Sequence, residues 1–337
     1  MSFELQNILV TGAAGLLGPQ LITELLKNKA NVIAFERDIK CDSFLYKRGL
    51  DRRVSVVYGD LSNLDDLVRI LNEFDIDVVF HLGAQAIVGR ANRSPISTFK
   101  SNIEGTWNLL EACRLSPWVK KIIVASSDKA YGEHTNLPYS EDYALRGRYP
   151  YDVSKSCADL LAQSYFHTYK LPVCITRCGN FFGGGDLHFN RIVPGTIRAL
   201  LLNQRPVIRS NGALIRDYIY VKDVVDAYIA LALKMDDSAI LGHSFNFSTD
   251  KSLSVLEIVD MIRQEAGIYL EPIVQNQHNN EILAQNLDSS KAYRMLGWKP
   301  RYGIKRGLAE TIAWYQDFLG IASDIHAHEQ FASEQVK

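Results

Sequence analysis

Ile8-Leu9-Val10-Thr11-Gly12-Ala13-Ala14-Gly15-Leu16-Leu17-Gly18 is the stretch that decides the fold of this chain. Its first three residues are a short apolar run with the look of a buried strand. Directly after the glycines, Pro19 to Leu26 places apolar residues at helical spacing. A glycine turn is informative when a strand precedes it and a helix follows it, and both flanks are present. Gly12 permits the tight turn, Gly15 lets backbone approach a pyrophosphate, and Gly18 lets the helix pack on the strand. The helix start at Leu16 and Leu17 offers N–H groups and a positive dipole end to phosphate oxygens. The spacing is G-x-x-G-x-x-G rather than G-x-G-x-x-G.

The same alternation continues outward. Asn31 to Phe35 predicts a second strand ending at Glu36-Arg37-Asp38. An acid there can hold adenosine ribose hydroxyls and favours NAD, whereas an arginine can meet a 2′-phosphate and favours NADP. Glu36 and Arg37 are both present and leave the choice open, with a lean to NAD. Val54 to Tyr58 predicts a third strand, followed by Asp60-Leu61, where Asp60 is a candidate for the adenine amino group or for capping the helix that begins near Leu64. Val78 to His81 predicts a fourth strand running into Leu82-Gly83-Ala84, small enough to let a cofactor come close. No chemistry is assigned to His81. A helix is expected over Ser97 to Leu115, a fifth strand over Lys121 to Ala125 and a sixth over Val173 to Arg177. Strands alternating with helices, with polar residues at the strands' carboxyl ends, predict an α/β Rossmann-type doubly wound parallel sheet. Past residue 178 the texture changes. Gly179 to Asp186 reads as a long glycine-rich loop, and shorter elements with scattered arginines suggest a smaller C-terminal lobe. The expected division is 1–178, 179–324 with some segments returning to the first domain, and a loosely ordered tail over 325–337.

The chain has 337 residues with 37 Lys and Arg against 38 Asp and Glu, so no long-range field draws it to nucleic acid or to an anionic membrane. No apolar run is long enough for a membrane span. The opening residues lack the basic and long apolar regions of a secretion signal, which sets a cytoplasmic expectation. Five cysteines at 41, 113, 157, 174 and 178 read as buried thiols in a reducing compartment, and no His or Cys cluster makes a metal site.

Tyr151-Asp152-Val153-Ser154-Lys155 opens a stretch free of Gly and Pro that reads as a helix. Positions i and i+4 share a helix face, so Tyr151 and Lys155 point the same way. A cation near a phenol favours phenolate, and a phenolate can take a proton from a sugar hydroxyl.

These residues together resemble the extended short-chain dehydrogenase/reductase family, in particular its nucleotide-sugar epimerases and dehydratases, over nearly the whole chain. Thr11 to Gly18 looks like that family's cofactor turn. Asp60-Leu61, His81 to Ala84 and Asn102 to Thr106 fall where its further motifs lie, with Gly83 where an alanine is usual. Tyr151 and Lys155 match its catalytic pair, and Arg177-Cys178-Gly179-Asn180 its Arg-x-x-Asn strand end. Arg216 to Asp223 resembles the second-lobe motif whose arginine binds the sugar-nucleotide diphosphate, and Lys291 to Pro300 a near-terminal structural motif.

Ser127-Asp128-Lys129 points to the subclass. Epimerases usually lack the acid–base pair, while the 4,6-dehydratases carry it, and this Asp-Lys form resembles CDP-glucose 4,6-dehydratases. The resemblance implies a lyase with tightly bound NAD, NADP not being excluded, acting on a nucleotide-diphosphate sugar with CDP-glucose as the leading substrate. It makes Tyr151 the base at the C4 hydroxyl, Ser127 a hydrogen-bond partner of the C4 oxygen, Asp128 the acid at C6 and Lys129 the base at C5. Lys129 would then have to be partly neutral. Asn180 and Arg216 are expected on the substrate, with Arg191 and Arg209 as further candidates, and a homodimer or homotetramer is implied. The rivals are an NDP-sugar 4-epimerase of the same fold, which has no use for Asp128 and Lys129, and a non-catalytic NAD(P)-binding scaffold.

Overall fold

The apolar runs pair side by side as strands. In a computed structural model, which describes residues 3–249, 251–277 and 282–321, they form β1 (Asn7–Thr11), β2 (Asn31–Glu36), β3 (Ser55–Tyr58), β4 (Val78–His81), β5 (Lys121–Ala125) and β6 (Val173–Cys178). They pair in parallel in the order β3-β2-β1-β4-β5-β6, with Ser244–Phe247 as a seventh strand beside β6. Strands buried on both faces need apolar residues at successive positions, and β1 shows why. Ile8 and Val10 enter one core, shared with the helices Leu17–Lys27 and Val221–Lys234, while Leu9 enters the other, under Leu64–Glu73 and Gly105–Leu115. Strand order reverses at β1, which has β2 on one side and β4 on the other. In such sheets the crevice outside the carboxyl ends at the reversal is where ligands sit.

The helix expected over Ser97 to Leu115 is not continuous. Pro95–Phe99 and Gly105–Leu115 are α-helical, and Lys100–Glu104 between them is a π turn. The wider turn carries Asn102 inward, where its amide accepts from Gln85 N at 2.7 Å and donates to the Gln85 carbonyl and to Ser154 Oγ at 2.9 Å. Such turns recur at functional sites.

The stretch expected as a glycine-rich loop also contains a strand. Asn180–Phe182 pairs in parallel with Tyr218–Tyr220 of the strand Ile215–Tyr220, which pairs on its other side with Ser252–Ser254. These three strands, the helices Ile192–Leu201 and Val255–Ala266 and the C-terminal helix Ile304–Leu319 lie outside the central sheet. The chain returns to that sheet between them, through Val221–Lys234 and Ser244–Phe247. Trp298 secures this return, its ring edge-on to Phe247 at 4.9 Å and its indole N–H on the Asp223 carbonyl.

Among the cysteines, 113, 174 and 178 are buried as expected, but Cys157 is half-buried and Cys41 exposed. The tail expected over 325–337 lies outside the described residues. Among those residues no helix is long and apolar enough to cross a membrane, and no cluster could hold a metal ion.

Candidate active site

The site lies at the carboxyl ends of β1, β4, β5 and β6. Gly12, at φ 68°, is pressed against the loop after β4, and a Cβ there would sit 2.8 Å from Gly83 N. Gly83 is similarly confined, a Cβ falling 2.9 Å from Leu61 Cδ1 and 3.1 Å from Thr11 Oγ1. The alanine usual at that position would therefore crowd this turn. Leu61 is thus a packing plate beneath the two loops. Asp60 accepts from the backbone and hydroxyl of Ser62, and the cap of the next helix is Asn63, not Asp60.

His81 is buried and hydrogen-bonded at both nitrogens. Thr106 gives its proton to the Asn102 carbonyl, so His81 Nε2 must donate to Thr106 Oγ1 at 3.1 Å. Nδ1 then accepts from Thr11 at 2.8 Å. Burial and the nearby Lys155 hold the imidazole at about 3, so it stays neutral and ties β1, β4 and the Gly105–Leu115 helix together.

The glycine turn fits a dinucleotide. The Leu17–Lys27 helix has no side-chain cap and no acid in its first turn, so no side chain of its own answers its leading N–H groups, and Gly15 in the turn before it is exposed. Leu17 is in the core and Leu16 packs against it, so both can meet a phosphate only through backbone. Glu36 is buried, with one oxygen on Ala14 N at 2.5 Å and the other 4.0 Å from Lys40, which props the turn open from beneath. Arg37 points outward and pairs with Asp38 at 2.8 Å, so its charge is answered where a 2′-phosphate would have to compete for it. Leu82 and Ala84 are half-buried along the crevice wall.

Tyr151 and Lys155 lie one turn apart on the helix Pro150–Tyr169. The expected effect of Lys155 on the phenol is not what governs it. Burial pushes Tyr151 up to about 12, a hydrogen bond with Ser127 and the charge of Arg191 draw it back, and Asp128 and Asp152 oppose ionisation. Lys155 instead donates to the Ala125 carbonyl at 2.7 Å, and burial brings it down to about 8.

The turn after β5 is a short 3₁₀ helix over Asp128–Tyr131, capped by Ser127, whose hydroxyl accepts from Lys129 N and donates to Asp128 Oδ1 at 2.9 Å. Asp128 is 2% exposed, and its second oxygen has no hydrogen-bond partner among the described residues. A buried carboxyl oxygen left so costs about 1–3 kcal/mol or more, which marks it as a group kept for something other than stability. Lys129 Nζ meets Gln285 Oε1, and Gln285 Nε2 returns to the Asp128 carbonyl at 3.2 Å.

Two residues of this cluster were not singled out by sequence. Asp152 is buried beside Asp128 and Lys129, and burial raises it to about 6. An acid directly after the tyrosine was its only signal. Gln285 arrives from 156 residues away and had none. Of the substrate candidates, Asn180 is exposed at the start of its strand, and Arg191 pairs with Asp186 at 2.9 Å while acting on Tyr151. Arg209 donates to Asn190, next to Arg191 in sequence. Arg216 is buried, with its guanidinium on the Ile215 carbonyl and its charge felt at Asp152.

The profile of the "NAD dependent epimerase/dehydratase family" matches residues 8–247. A putative UDP-glucose 4-epimerase of Methanocaldococcus jannaschii is 31% identical over 92% of this chain and 98% of its own length. The CDP-glucose 4,6-dehydratase of Salmonella typhimurium is 29% identical over 93% of this chain and 91% of its own. Among solved structures, the dTDP-glucose 4,6-dehydratase of Streptomyces venezuelae with NAD bound superposes with a TM-score of 0.83 at 26% identity, covering 94% of this chain and 98% of that one.

Proposed function

The chain belongs to the NAD-dependent epimerase/dehydratase family, and from that premise we propose that it is a nucleotide-sugar 4,6-dehydratase, with a CDP-hexose as the leading substrate. The observation that supports this reading is the nearness of Asp128 to Tyr151 and of Asp128 and Lys129 to Asp152, each close enough to act on its neighbour's charge, with one Asp128 carboxyl oxygen unengaged among the described residues. An epimerase moves one proton and one hydride at C4 and has no work for that pair.

Gly12, Gly15, Leu16, Leu17 and Gly18 with Glu36, Asp60, Leu61, Leu82, Gly83, Ala84 and Lys155 would hold NAD. Bound there, it supplies the acceptor and later the donor of the hydride, and a positive charge beside the phenol. Tyr151 takes the C4 hydroxyl proton while Ser127 holds the C4 oxygen. The resulting 4-ketone acidifies C5. Lys129 takes the C5 proton, the electron pair closes the C5–C6 double bond, and the C6–O bond breaks with a proton from Asp128, releasing water. Lys129 returns its proton to C5 as C6 is reduced. In net terms the proton lost from the C4 hydroxyl leaves with the C6 oxygen, so no cofactor is consumed. Arg216 serves the diphosphate, Asn180 the sugar or its phosphate, and Arg191 and Arg209 the rim.

The test is mass spectrometry of products after mixing the protein with CDP-, dTDP-, UDP- and GDP-hexoses. Loss of one water without net cofactor turnover is expected. A mass-neutral new stereoisomer by NMR would replace this reading with the epimerase, the activity that the M. jannaschii relative's name suggests.

The same reading includes a homodimer. Trp107 (42% exposed) and Leu160 (52% exposed) flank an apolar depression with Ile103, Cys157 and Leu161, on the π turn Lys100–Glu104 and the Gly105–Leu115 and Pro150–Tyr169 helices. A face of this kind buries well against a second copy. Light scattering at micromolar concentration should give twice the chain mass or more, and a monomer would sink the assignment.

A further inference from the structure

Gln285 belongs to a segment held by backbone hydrogen bonds on two sides. Its N–H donates to the Ile215 carbonyl at 3.1 Å, Leu283 accepts from Ile215 N, and Leu287 N donates to Asp217 Oδ2 at 2.7 Å. On the opposite side Tyr139 N donates to the Asn286 carbonyl and Asp288 N donates to the Tyr139 carbonyl. The segment is thus clamped between the strand that carries Arg216 and the loop after the 3₁₀ turn. The Gln285 side chain is fully buried. Its amide cannot be reversed without loss, because the NH₂ end is held by the Asp128 carbonyl and only the oxygen is left to face Lys129.

The charges around Lys129 explain why a neutral acceptor sits there. Asp128 lies next to it on its own turn. Asp152 faces it from the Pro150–Tyr169 helix, and Arg216 acts on Asp152 from the Ile215–Tyr220 strand. Asp128 and Asp152 favour a proton on the amine. A carboxylate at 285 would add to that effect, whereas a neutral carbonyl orients the amine and adds no charge.

We propose that Gln285 is a positioning residue for the elimination step, aiming the Lys129 amine at the sugar while leaving it free to lose its proton. The assignment rests on the dehydratase reading, and its test separates the two. Lys129 is reductively methylated across a pH series in the NAD-loaded protein, and the midpoint is read by peptide mass spectrometry. Gln285→Glu should move that midpoint up by about one unit. Gln285→Leu, which removes an acceptor of the ammonium, should move it down, an opposite sign that damage to the fold cannot mimic. With the nucleotide sugar that the wild type dehydrates, Gln285→Leu should lower kcat about tenfold or more with KM within about threefold. Reduced nicotinamide should still form in a single turnover, because C4 oxidation does not use Lys129. Midpoints unchanged in both variants would overturn the proposal even in an active dehydratase. Opposite shifts in a protein that dehydrates nothing would retain Gln285 as the residue that sets the Lys129 proton and would overturn its place in an elimination.

Discussion

The ion pair Arg177–Asp159 and the turn Ser127-Asp128-Lys129 lie at the same end of the sheet and treat buried charge in opposite ways. Arg177 and Asp159 are 2% and 0% exposed. The guanidinium meets both carboxylate oxygens at 2.8 and 2.9 Å and also the Tyr131 hydroxyl and the Glu141 carbonyl, and Gln163 adds a donor to Asp159. Every charge is answered, and the pair pins the loop after the Ser127-Asp128-Lys129 turn to β6. Asp128 is buried just as deeply and keeps an oxygen without a partner among the described residues. Full pairing makes a brace. Incomplete pairing leaves a proton donor and an acceptor available to a ligand.

The largest test of this contrast is Asp159→Ala, which leaves a buried guanidinium with its main partner removed. Unfolding by denaturant should show a loss of about 3–5 kcal/mol, and a loss near zero would remove the pair from the bracing class. Next is Asp128→Asn, which preserves shape and abolishes the acid. Dehydration should fall about 10²–10⁴-fold, with unfolding free energy changed by no more than about 1 kcal/mol, because one small buried polar group replaces another of the same shape. Near-normal turnover in that variant would place Asp128 with the braces. The smallest effect concerns Asp152. Burial raises it to about 6, so the folded state prefers its neutral form. The stability it contributes is fully present below the ordinary carboxylate range and is lost as pH rises through 6. Asp152→Asn should remove that slope. Measured by denaturation on either side of pH 6, the wild type should lose about 1–3 kcal/mol relative to the variant. Parallel curves would show that Asp152 ionises as freely as a surface acid.

The central sheet was legible because its signals are local. Gly12 to Gly18, the six apolar strands and the Tyr151–Lys155 face all follow from neighbours within one turn or one strand, where period and chain geometry leave little choice. Gly83 also carried its meaning in sequence, as a departure whose reason is the close approach of Thr11 and Leu61. The π turn at Lys100–Glu104 was not legible, since it answers to Gln85 and Ser154, far along the chain. Nor was the strand Asn180–Phe182, three residues whose pairing comes from Tyr218–Tyr220.

By itself, then, the sequence determined the parallel α/β sheet, the strand–glycine turn–helix at Ile8 to Leu26, the Tyr151–Lys155 helix face and the candidate group Ser127, Asp128 and Lys129. Tertiary structure alone decided their electrostatic state. It gave the phenol of Tyr151 a burial that Lys155 does not offset and turned Lys155 to the Ala125 carbonyl. It also placed Asp152 near Asp128 and Lys129 and brought Gln285 onto Lys129. The reason is range. Backbone period and glycine geometry act over a few residues, while desolvation and hydrogen-bond partnership depend on whatever the fold brings within a few ångströms, however distant in the chain.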